Sequence, residues 1–204
     1  MSDGTTRAVV AEERPPAAVL RLARPAERNP LSVSTLDELD RLFTSLAARG
    51  EISAIVITGA GDVFASGAHI RELSELTPDA ARAFAERGQR LFRKIADARP
   101  LTVAAVNGFC MGGGLDLALA CDLRVASPGA VFAHPGARLG IITGWGGTQR
   151  LPALVGEARA LELFTTGRHL TAAEALEWGL VGCVAEDVLG RALGIAGAGG
   201  ARRR

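Results

Sequence analysis

The stretch at residues 102–122, TVAAVNGFCMGGGLDLALACD, is the part of this sequence that most constrains its fold. A short apolar run at 103–106 is long enough for a buried strand, and an Asn-Gly pair ends it. Three glycines at 112–114 then lead into a segment, 115–120, with the composition of a buried helix. Glycine lets a backbone approach a ligand closely, and the first N–H groups of a helix have no partner within it. The passage therefore suits an anion or a developing oxyanion, with Asp116 in the first helical turn. A glycine-rich turn that only packs helix against strand is the alternative.

Composition and charge exclude several classes of protein. The 204 residues show no change in composition that marks a domain boundary, and 48% of them are hydrophobic, which is ample for a core. A formal net charge of +1 gives no reason to expect nucleic acid or a membrane surface as a partner. We predict neither a signal peptide nor a transmembrane helix, and we expect a cytoplasmic protein.

Cysteine and histidine spacing predicts neither disulfides nor a metal site. The three cysteines form no C-x-x-C pair, and their odd number argues against a disulfide framework. We expect them to be reduced, buried side chains. The three histidines, His69, His134 and His169, lack metal-ligand spacing.

Hydrophobic periodicity predicts strands and helices in alternation. The predicted strands are 7–11, 17–22, 52–58, 103–106, 123–126, 131–133 and 180–184, the first two forming a hairpin. The predicted helices are 36–50, one starting at Pro78, 115–120, 156–165 and 171–178. The expected helix caps are Ser34 with Asp37 or Thr35 with Glu38, then Thr77, and finally Thr171 with Glu174.

A second stretch, VFASGAHI at 63–70, directly follows the strand-like residues 54–59. With both stretches in view, the sequence resembles the enoyl-CoA hydratase/isomerase family, the crotonase superfamily, over about residues 18–184. The order and spacing of the shared motifs make the resemblance specific. They are Arg28-Asn29-Pro30-Leu31, the Phe64 to Ile70 segment, Asn107-Gly108, Gly112-Gly113-Gly114-Leu115-Asp116-Leu117, Ala120-Cys121-Asp122, Leu139-Gly140-Ile141, GGTQRL at 146–151, Ala173-Glu174-Ala175 and Gly179-Leu180-Val181.

The resemblance implies an α/β fold, a crotonase-like spiral of repeated ββα units. The core domain is expected over residues 1–186, with the family's usual C-terminal helical region largely missing. Residues 187–204 are rich in Gly and Ala and end in Arg-Arg-Arg, so we expect a disordered tail. A truncated or frame-shifted product and a natural short form are both open explanations. The resemblance also implies that this chain assembles into a homotrimer or hexamer.

The chemistry that the resemblance implies is stabilisation of a thioester enolate. The substrate is an acyl-CoA thioester, coenzyme A enters as part of it, and no separate cofactor is expected. Ala68 and Gly113 are the expected backbone donors to the thioester oxygen, and Asp116 is the expected acid–base residue. Further substrate contacts are expected from Arg28, Ala65, Gly67, Ala68, His69, Ile70, Arg71, Gly112 and Gly113.

The acid–base half of the site departs from the family. A hydratase of the family uses two glutamates; Asp116 occupies the first position and Gly136 the second. Loss of one member of such a pair lowers the reaction rate by about 10²–10⁴-fold, which argues against efficient hydration. His134 is a possible auxiliary group that could titrate near neutrality, and a packed histidine is the alternative. Arg138 and Thr143 are further polar candidates.

Three functions remain open from the sequence. The first is an enoyl-CoA hydratase/isomerase-family lyase or isomerase, typical of fatty acid metabolism, with Asp116 as the remaining acid–base group. The second is an acyl-CoA decarboxylase or thioester hydrolase that uses the same oxyanion hole. The third is a catalytically impaired acyl-CoA-binding protein.

Overall fold

Three sheets and eight α-helices make up residues 7–199, the part of the chain that this computed structural model describes. The strands are β1 Val9–Arg14, β2 Ala17–Leu22, β3 Pro30–Leu31, β4 Ala54–Gly59, β5 Val63–Ala65, β6 Gly67–Ala68, β7 Leu101–Val106, β8 Phe109–Met111, β9 Leu123–Ala126, β10 Val131–Ala133, β11 Leu170–Thr171 and β12 Cys183–Val184. The helices are α1 Val33–Ala47, α2 Ile70–Ser74, α3 Pro78–Ala96, α4 Gly113–Ala120, α5 Gly147–Val155, α6 Glu157–Thr166, α7 Ala172–Glu177 and α8 Val188–Gly199. Short 3-10 turns lie at Pro25–Glu27 and Pro135–Leu139.

The sheets are wound as a spiral of repeated units. The largest sheet has the order β1-β2-β4-β7-β9-β12, and within it only the β1–β2 hairpin is antiparallel. A second sheet has the order β11-β10-β8-β5, and β3 pairs with β6. Along the chain, β4, β7 and β9 of the large sheet are each followed by a strand of the second sheet and then by a helix. The predicted spiral of ββα units is therefore confirmed.

The main core lies on one face of the large sheet, beneath α1, α3 and α4. Its largest fully buried side chains are Phe43, Phe64, Phe92 and Phe132. Strands β4 and β7 are buried along their whole length, as expected for parallel strands covered on both faces.

The opposite face of the large sheet is covered by α8, which corrects the prediction of a disordered tail. Val188, Ala192 and Ala196 are spaced by four residues and lie buried on one side of this helix. They pack against outward-facing sheet residues such as Val56 and Val103. The prediction failed because small side chains give a weak amphipathic signal, although they let a helix lie close to a sheet. Residues 200–204 of the predicted tail lie outside the described residues.

Helix caps were predicted correctly in two cases and wrongly in one. The Thr77 cap of α3 and the Thr171/Glu174 capping box of α7 are confirmed. Helix α1 begins earlier than predicted, because Ser32 is its cap and accepts a hydrogen bond from the N–H of Thr35. Glu38 instead accepts hydrogen bonds from two backbone N–H groups at the start of β1.

No helix within residues 7–199 is both long and apolar enough to cross a membrane.

Candidate active site

A cavity of about 270 Å³ lies where α4 begins, between the loop after β6 and the 3-10 turn after β10. Its lining brings together most of the residues that the sequence analysis selected: Gly67, Ala68, Ile70, Gly112, Gly113, Asp116, His134 and Gly136. Apolar side chains form the remaining wall: Leu73, Leu76, Phe84, Ile141, Ile142 and Trp145. The cavity is thus mostly apolar with a few convergent polar groups, as small-molecule sites usually are.

A larger cavity of about 510 Å³ lies along the outer face of α3, and it is not the better candidate. Only polar and charged α3 side chains line it: Glu86, Gln89, Arg90, Arg93, Lys94 and Asp97. It has neither an apolar wall nor a backbone donor of the kind that the sequence analysis predicted.

Two asparagine side chains, Asn29 and Asn107, hold the loop that leads to the cavity. The Asn29 side chain donates to the carbonyl oxygens of Ala60 and Val63, at 3.1 and 2.7 Å. The Oδ1 atom of Asn107 accepts a hydrogen bond from the N–H of Gly59 at 3.0 Å. These side chains link the segments before β3 and after β7 to residues 59–63. The hydrogen bonds fix the position of the β4–β5 loop, and with it the start of β6.

Close backbone approach brings Ala68 and Gly113 together. A Cβ atom added at Gly67 would lie 3.0 Å from the nitrogen of Gly113 and 2.8 Å from the carbonyl oxygen of Met111. A Cβ atom added at Gly113 would lie 3.5 Å from the nitrogen of Ala68. Gly67 also has a φ of +94°, which side chains rarely tolerate. Glycine is therefore required at 67 for the two predicted donor nitrogens to line one cavity.

The indole of Trp145 forms the wall beside Gly113. It is 4% exposed, contacts the rings of Phe84 and Phe92 at centroid distances of 5.1 and 5.5 Å, and donates to the carbonyl oxygen of Phe84. A Cβ atom at Gly113 would lie 2.3 Å from this ring, and one at Gly88 would lie 2.4 Å from it. Two glycines therefore make the space that the indole fills.

Asp116 is fully buried and carries a carboxyl group at the cavity lining. Thr143 donates a hydrogen bond to its Oδ2 atom, whereas Oδ1 has no hydrogen-bond partner among the described residues. Burial raises the pKa of Asp116 to about 6. The Thr143 hydroxyl, the N–H groups of Trp145 and Gly147, and the charge of Arg150 oppose that rise.

His134 lies beside Asp116 and is 3% exposed. Its Nε2 atom is 3.4 Å from Oδ1 of Asp116 but forms no hydrogen bond, and its ring packs against Phe164 at 5.0 Å. Burial lowers the pKa of His134 to about 4. Burial therefore opposes titration of this ring near neutrality, which the sequence had left open.

Gly136 lines the cavity within the 3-10 turn Pro135–Leu139. A Cβ atom added there would lie 2.6 Å from the carbonyl oxygen of Ile141, and the N–H of Ile141 donates back to the oxygen of Gly136. The turn is thus built around the absence of a side chain at 136.

The remaining predicted site residues lie outside the lining of the cavity. Arg28 and Arg71 are exposed, and the carbonyl oxygen of Arg28 accepts a hydrogen bond from the N–H of Ser66. Ala65 is buried beneath Gly114, where a Cβ atom would lie 2.3 Å from its oxygen. The Nδ1 atom of His69 is buried and has no hydrogen-bond partner among residues 7–199.

Sequence reasoning missed the apolar wall at Ile141 and Ile142. Both side chains are exposed, at 48% and 65%, and they line the cavity. An apolar pair in a polar, glycine-flanked loop was the available signal. Arg138, a predicted polar candidate, is exposed and lies outside the lining, whereas Thr143 reaches Asp116.

Within the described part of the chain, no group of three or more His, Cys, Asp or Glu side chains is close enough to hold a metal ion.

Comparisons with known proteins point to one family. A family profile described as enoyl-CoA hydratase/isomerase matches residues 13–196. The short-chain-enoyl-CoA hydratase of Clostridium acetobutylicum is 40% identical over 179 residues, which cover 87% of this chain and 69% of that protein. The crotonyl-CoA hydratase of Syntrophomonas wolfei is 40% identical over 192 residues, which cover 93% of this chain and 74% of that protein.

Solved structures share the fold over nearly the whole chain. The enoyl-CoA hydratase from Thermoplasma volcanium superposes with a TM-score of 0.92 at 32% identity, covering 98% of this chain and 80% of that one. The enoyl-CoA hydratase from Bacillus anthracis gives a TM-score of 0.90 at 33% identity, covering 94% of this chain and 76% of that one.

Proposed function

The chain belongs to the enoyl-CoA hydratase/isomerase family, and on that premise we propose that it adds water to the double bond of a 2-enoyl-CoA thioester. One observation carries the proposal: the buried carboxyl of Asp116 lines the same cavity as Ala68 and Gly113. Two relatives at 40% identity are named short-chain-enoyl-CoA hydratase and crotonyl-CoA hydratase, which supports the same reaction.

The thioester oxygen is held by the N–H groups of Ala68 and Gly113. Gly113 is the first residue of α4, so its N–H has no partner inside the helix and lies at the positive end of the helix dipole. As water attacks the β-carbon, negative charge grows on the thioester oxygen. A fixed donor aimed at that oxygen contributes about 2.7–4 kcal/mol, because it needs no reorganisation as the charge develops.

Asp116 exchanges a proton with the substrate. A carboxyl group whose pKa is near 6 can both take and give a proton near neutral pH. The hydrogen bond from Thr143 fixes Oδ2, and we assign the proton exchange to Oδ1, which has no hydrogen-bond partner among the described residues. This arrangement fits a lyase reaction with one carboxylate in the cavity.

The apolar wall suits a short acyl chain. Trp145 and Phe84 close the cavity on one side and Leu73 on another, and its volume of about 270 Å³ leaves room for a few methylene groups. We assign Arg28 and Arg71, both exposed, to the phosphates of coenzyme A, with no separate cofactor. We also propose a homotrimer or hexamer in the cytoplasm, which light scattering can test.

Gly136 favours a second candidate function. Decarboxylation of a malonyl-type thioester, or thioester hydrolysis, needs the oxyanion donors but no carboxylate at the position where this chain has Gly136. The same assay series with malonyl-type and saturated thioesters distinguishes these reactions from hydration and from binding without turnover.

The test of hydration is the loss of absorbance of the conjugated thioester of crotonyl-CoA. We expect turnover by the unchanged protein and a decrease of about 10²–10⁴-fold in Asp116→Asn, because the acid–base group is lost. Asp62→Asn, an exposed aspartate in the β4–β5 loop, is the matched control and should retain the rate. Absence of turnover on every 2-enoyl-CoA tested would overturn the proposal.

A further inference from the structure

We propose that His134 is the second acid–base group of this site and that it shares a single proton with Asp116. The proposal rests on the proposed hydration and names the group that takes the place of a second carboxylate. Among the described residues, no other side chain of the cavity lining is comparable: apart from Asp116 and His134, its polar groups are the hydroxyls of Ser66 and Thr143 and the indole N–H of Trp145, which donates to Phe84.

The geometry that points to this pair is two buried polar atoms facing each other without partners. Nε2 of His134 and Oδ1 of Asp116 are 3.4 Å apart, and neither has a hydrogen-bond partner among residues 7–199. The two residues are 3% and 0% exposed, and both line the cavity. Leaving a buried polar atom without a hydrogen-bond partner is unfavourable, so two such atoms at one cavity indicate a site for water or substrate.

The position of His134 in the fold explains why it can replace a residue two places further along. Strand β10 ends at Ala133, and the chain then enters the turn that contains Gly136. The imidazole comes from the end of the strand, and the ring of Phe164 on α6 supports it. The side chain therefore reaches Asp116 without the steric conflict that a side chain at 136 has with Ile141.

Burial favours a neutral pair. Desolvation raises the pKa of Asp116 to about 6 and lowers the pKa of His134 to about 4, so between these values the pair carries one proton and no net charge. Because the groups are adjacent, the pKa values of the site belong to the pair and not to either residue. The other titratable groups on the surrounding elements are His69 after β6, Cys110 on β8, Arg138 in the 3-10 turn, Arg150 on α5, and Glu157, Arg159 and Glu162 on α6.

Of those surrounding groups, Arg150 acts on the pair and Cys110 stays neutral beside it. Arg150 favours the charged form of Asp116. Burial raises the pKa of the Cys110 thiol well above its usual value, so it stays neutral beside Asp116.

The proposed step is balanced with one water and one shared proton. The water oxygen forms its bond to the β-carbon while the water gives a proton to Nε2 of neutral His134. Protonated Asp116 gives its proton to the α-carbon, and the electrons held on the thioester oxygen return to re-form the carbonyl. The proton on Nε2 then passes to Oδ1 across the 3.4 Å between them, which restores the pair.

The closing experiment compares His134→Gln with His169→Gln in the full chain. His169 is exposed and is not part of the cavity lining, so it is the matched control. We expect His134→Gln to lower kcat for crotonyl-CoA by about 10²–10⁴-fold with little change in KM. We also expect the bell-shaped pH profile of the unchanged protein to lose one limb.

The double variant with Asp116→Asn should be little slower than either single variant, since the two groups act as a unit.

A second variant separates catalysis from folding. His134→Ala opens space next to the cavity, so added imidazole should restore part of its rate, whereas His134→Gln fills that space and should not respond. Normal hydration by His134→Gln, or no response to imidazole in a folded His134→Ala, would overturn the proposal while hydration itself stands.

Deuterium exchange at the α-carbon of butyryl-CoA provides a readout that needs no hydration. Exchange that depends on His134 in a protein without hydration would overturn the proposed function and support the pair. A folded protein with neither hydration nor exchange would overturn both.

Discussion

The two halves of the site are built from different material. The proposed oxyanion half consists of the backbone N–H groups of Ala68 and Gly113, whose placement is set by glycines and by the packing of Trp145. The proposed acid–base half consists of the side chains of Asp116 and His134, whose properties are set by burial and by their separation. Backbone chemistry tolerates sequence change as long as the packing holds. Side-chain chemistry instead changes with a single residue, as Gly136 illustrates.

The strongest test of the oxyanion half removes its packing support. Trp145→Ala should lower the free energy of unfolding by about 3–5 kcal/mol, since a buried aromatic side chain is replaced by a cavity. The loss should also release Gly113 and reduce hydration. Urea unfolding measures the first effect, and the crotonyl-CoA assay at a temperature where the variant is folded measures the second. Full stability in this variant would contradict the role of the indole.

A smaller substitution, Gly113→Ala, should act directly on the backbone N–H donor of residue 113. In Gly113→Ala the new Cβ would lie 2.3 Å from the Trp145 ring, so the first turn of α4 must move. We expect kcat/KM to fall by about 10²–10³-fold, the cost of losing one oxyanion donor. Gly129→Ala is the control, because its Cβ meets no atom within 4 Å. Equal rates in both variants would remove Gly113 from the oxyanion half.

The shifted pKa values of Asp116 and His134 should make the free energy of unfolding depend on pH. Asp116 has its pKa raised from 3.8 to about 6, so its contribution is present at low pH and is lost as pH rises through 6. His134 has its pKa lowered from 6.5 to about 4, so its contribution grows as pH rises from 4 to 6.5. The two slopes oppose each other and nearly cancel between pH 4 and pH 6.

Single variants should uncover one slope each. In Asp116→Asn stability should rise with pH between 4 and 6, and in His134→Gln it should fall over the same range. Each slope is at most about 1.4 kcal/mol per pH unit relative to the unchanged protein. Urea unfolding at pH 4.5 and 6 measures both, with Asp62→Asn as the control. Parallel curves for all four proteins would show that neither group has a shifted pKa.

The smallest expected change in hydration rate is at position 136, where the family has its second glutamate. Gly136→Glu should not raise the hydration rate, because its Cβ would lie 2.6 Å from the carbonyl oxygen of Ile141 and the turn must open. We expect a loss of stability of about 1–3 kcal/mol, typical of an overpacked site. A faster variant would instead show that a carboxylate at 136 is the missing group and that the turn adapts.

The sequence was a good guide wherever local chemistry decides the structure. The glycines at 67 and 113 predict close backbone approach, and the threonines at 77 and 171 predict helix starts, because each acts within a few residues. The spiral of ββα units follows from the strand and helix order together with the family resemblance. Helices α2 and α5 were missed because α2 has only five residues and α5 contains Pro152, a residue that usually breaks a helix.

Features that depend on distant contacts could not be predicted. The closeness of His134 to Asp116 arises because β10 lies beside β8, the strand that leads into α4. The degree of burial decides the protonation of both groups, and no local pattern reports it. Helix α8 was missed for the same reason, since its alanines are recognisable as buried residues only once the face of the sheet that they cover is known.

The position of α8 also sets a lower limit on how short this protein can be made. Strands β4 and β7 have no solvent-facing side, so a version that stops before residue 188 would present Val56, Val103 and their neighbours to water. Such a continuous apolar surface promotes self-association. Solubility, and not only catalysis, therefore depends on twelve residues that lie on the opposite side of the sheet from the main core.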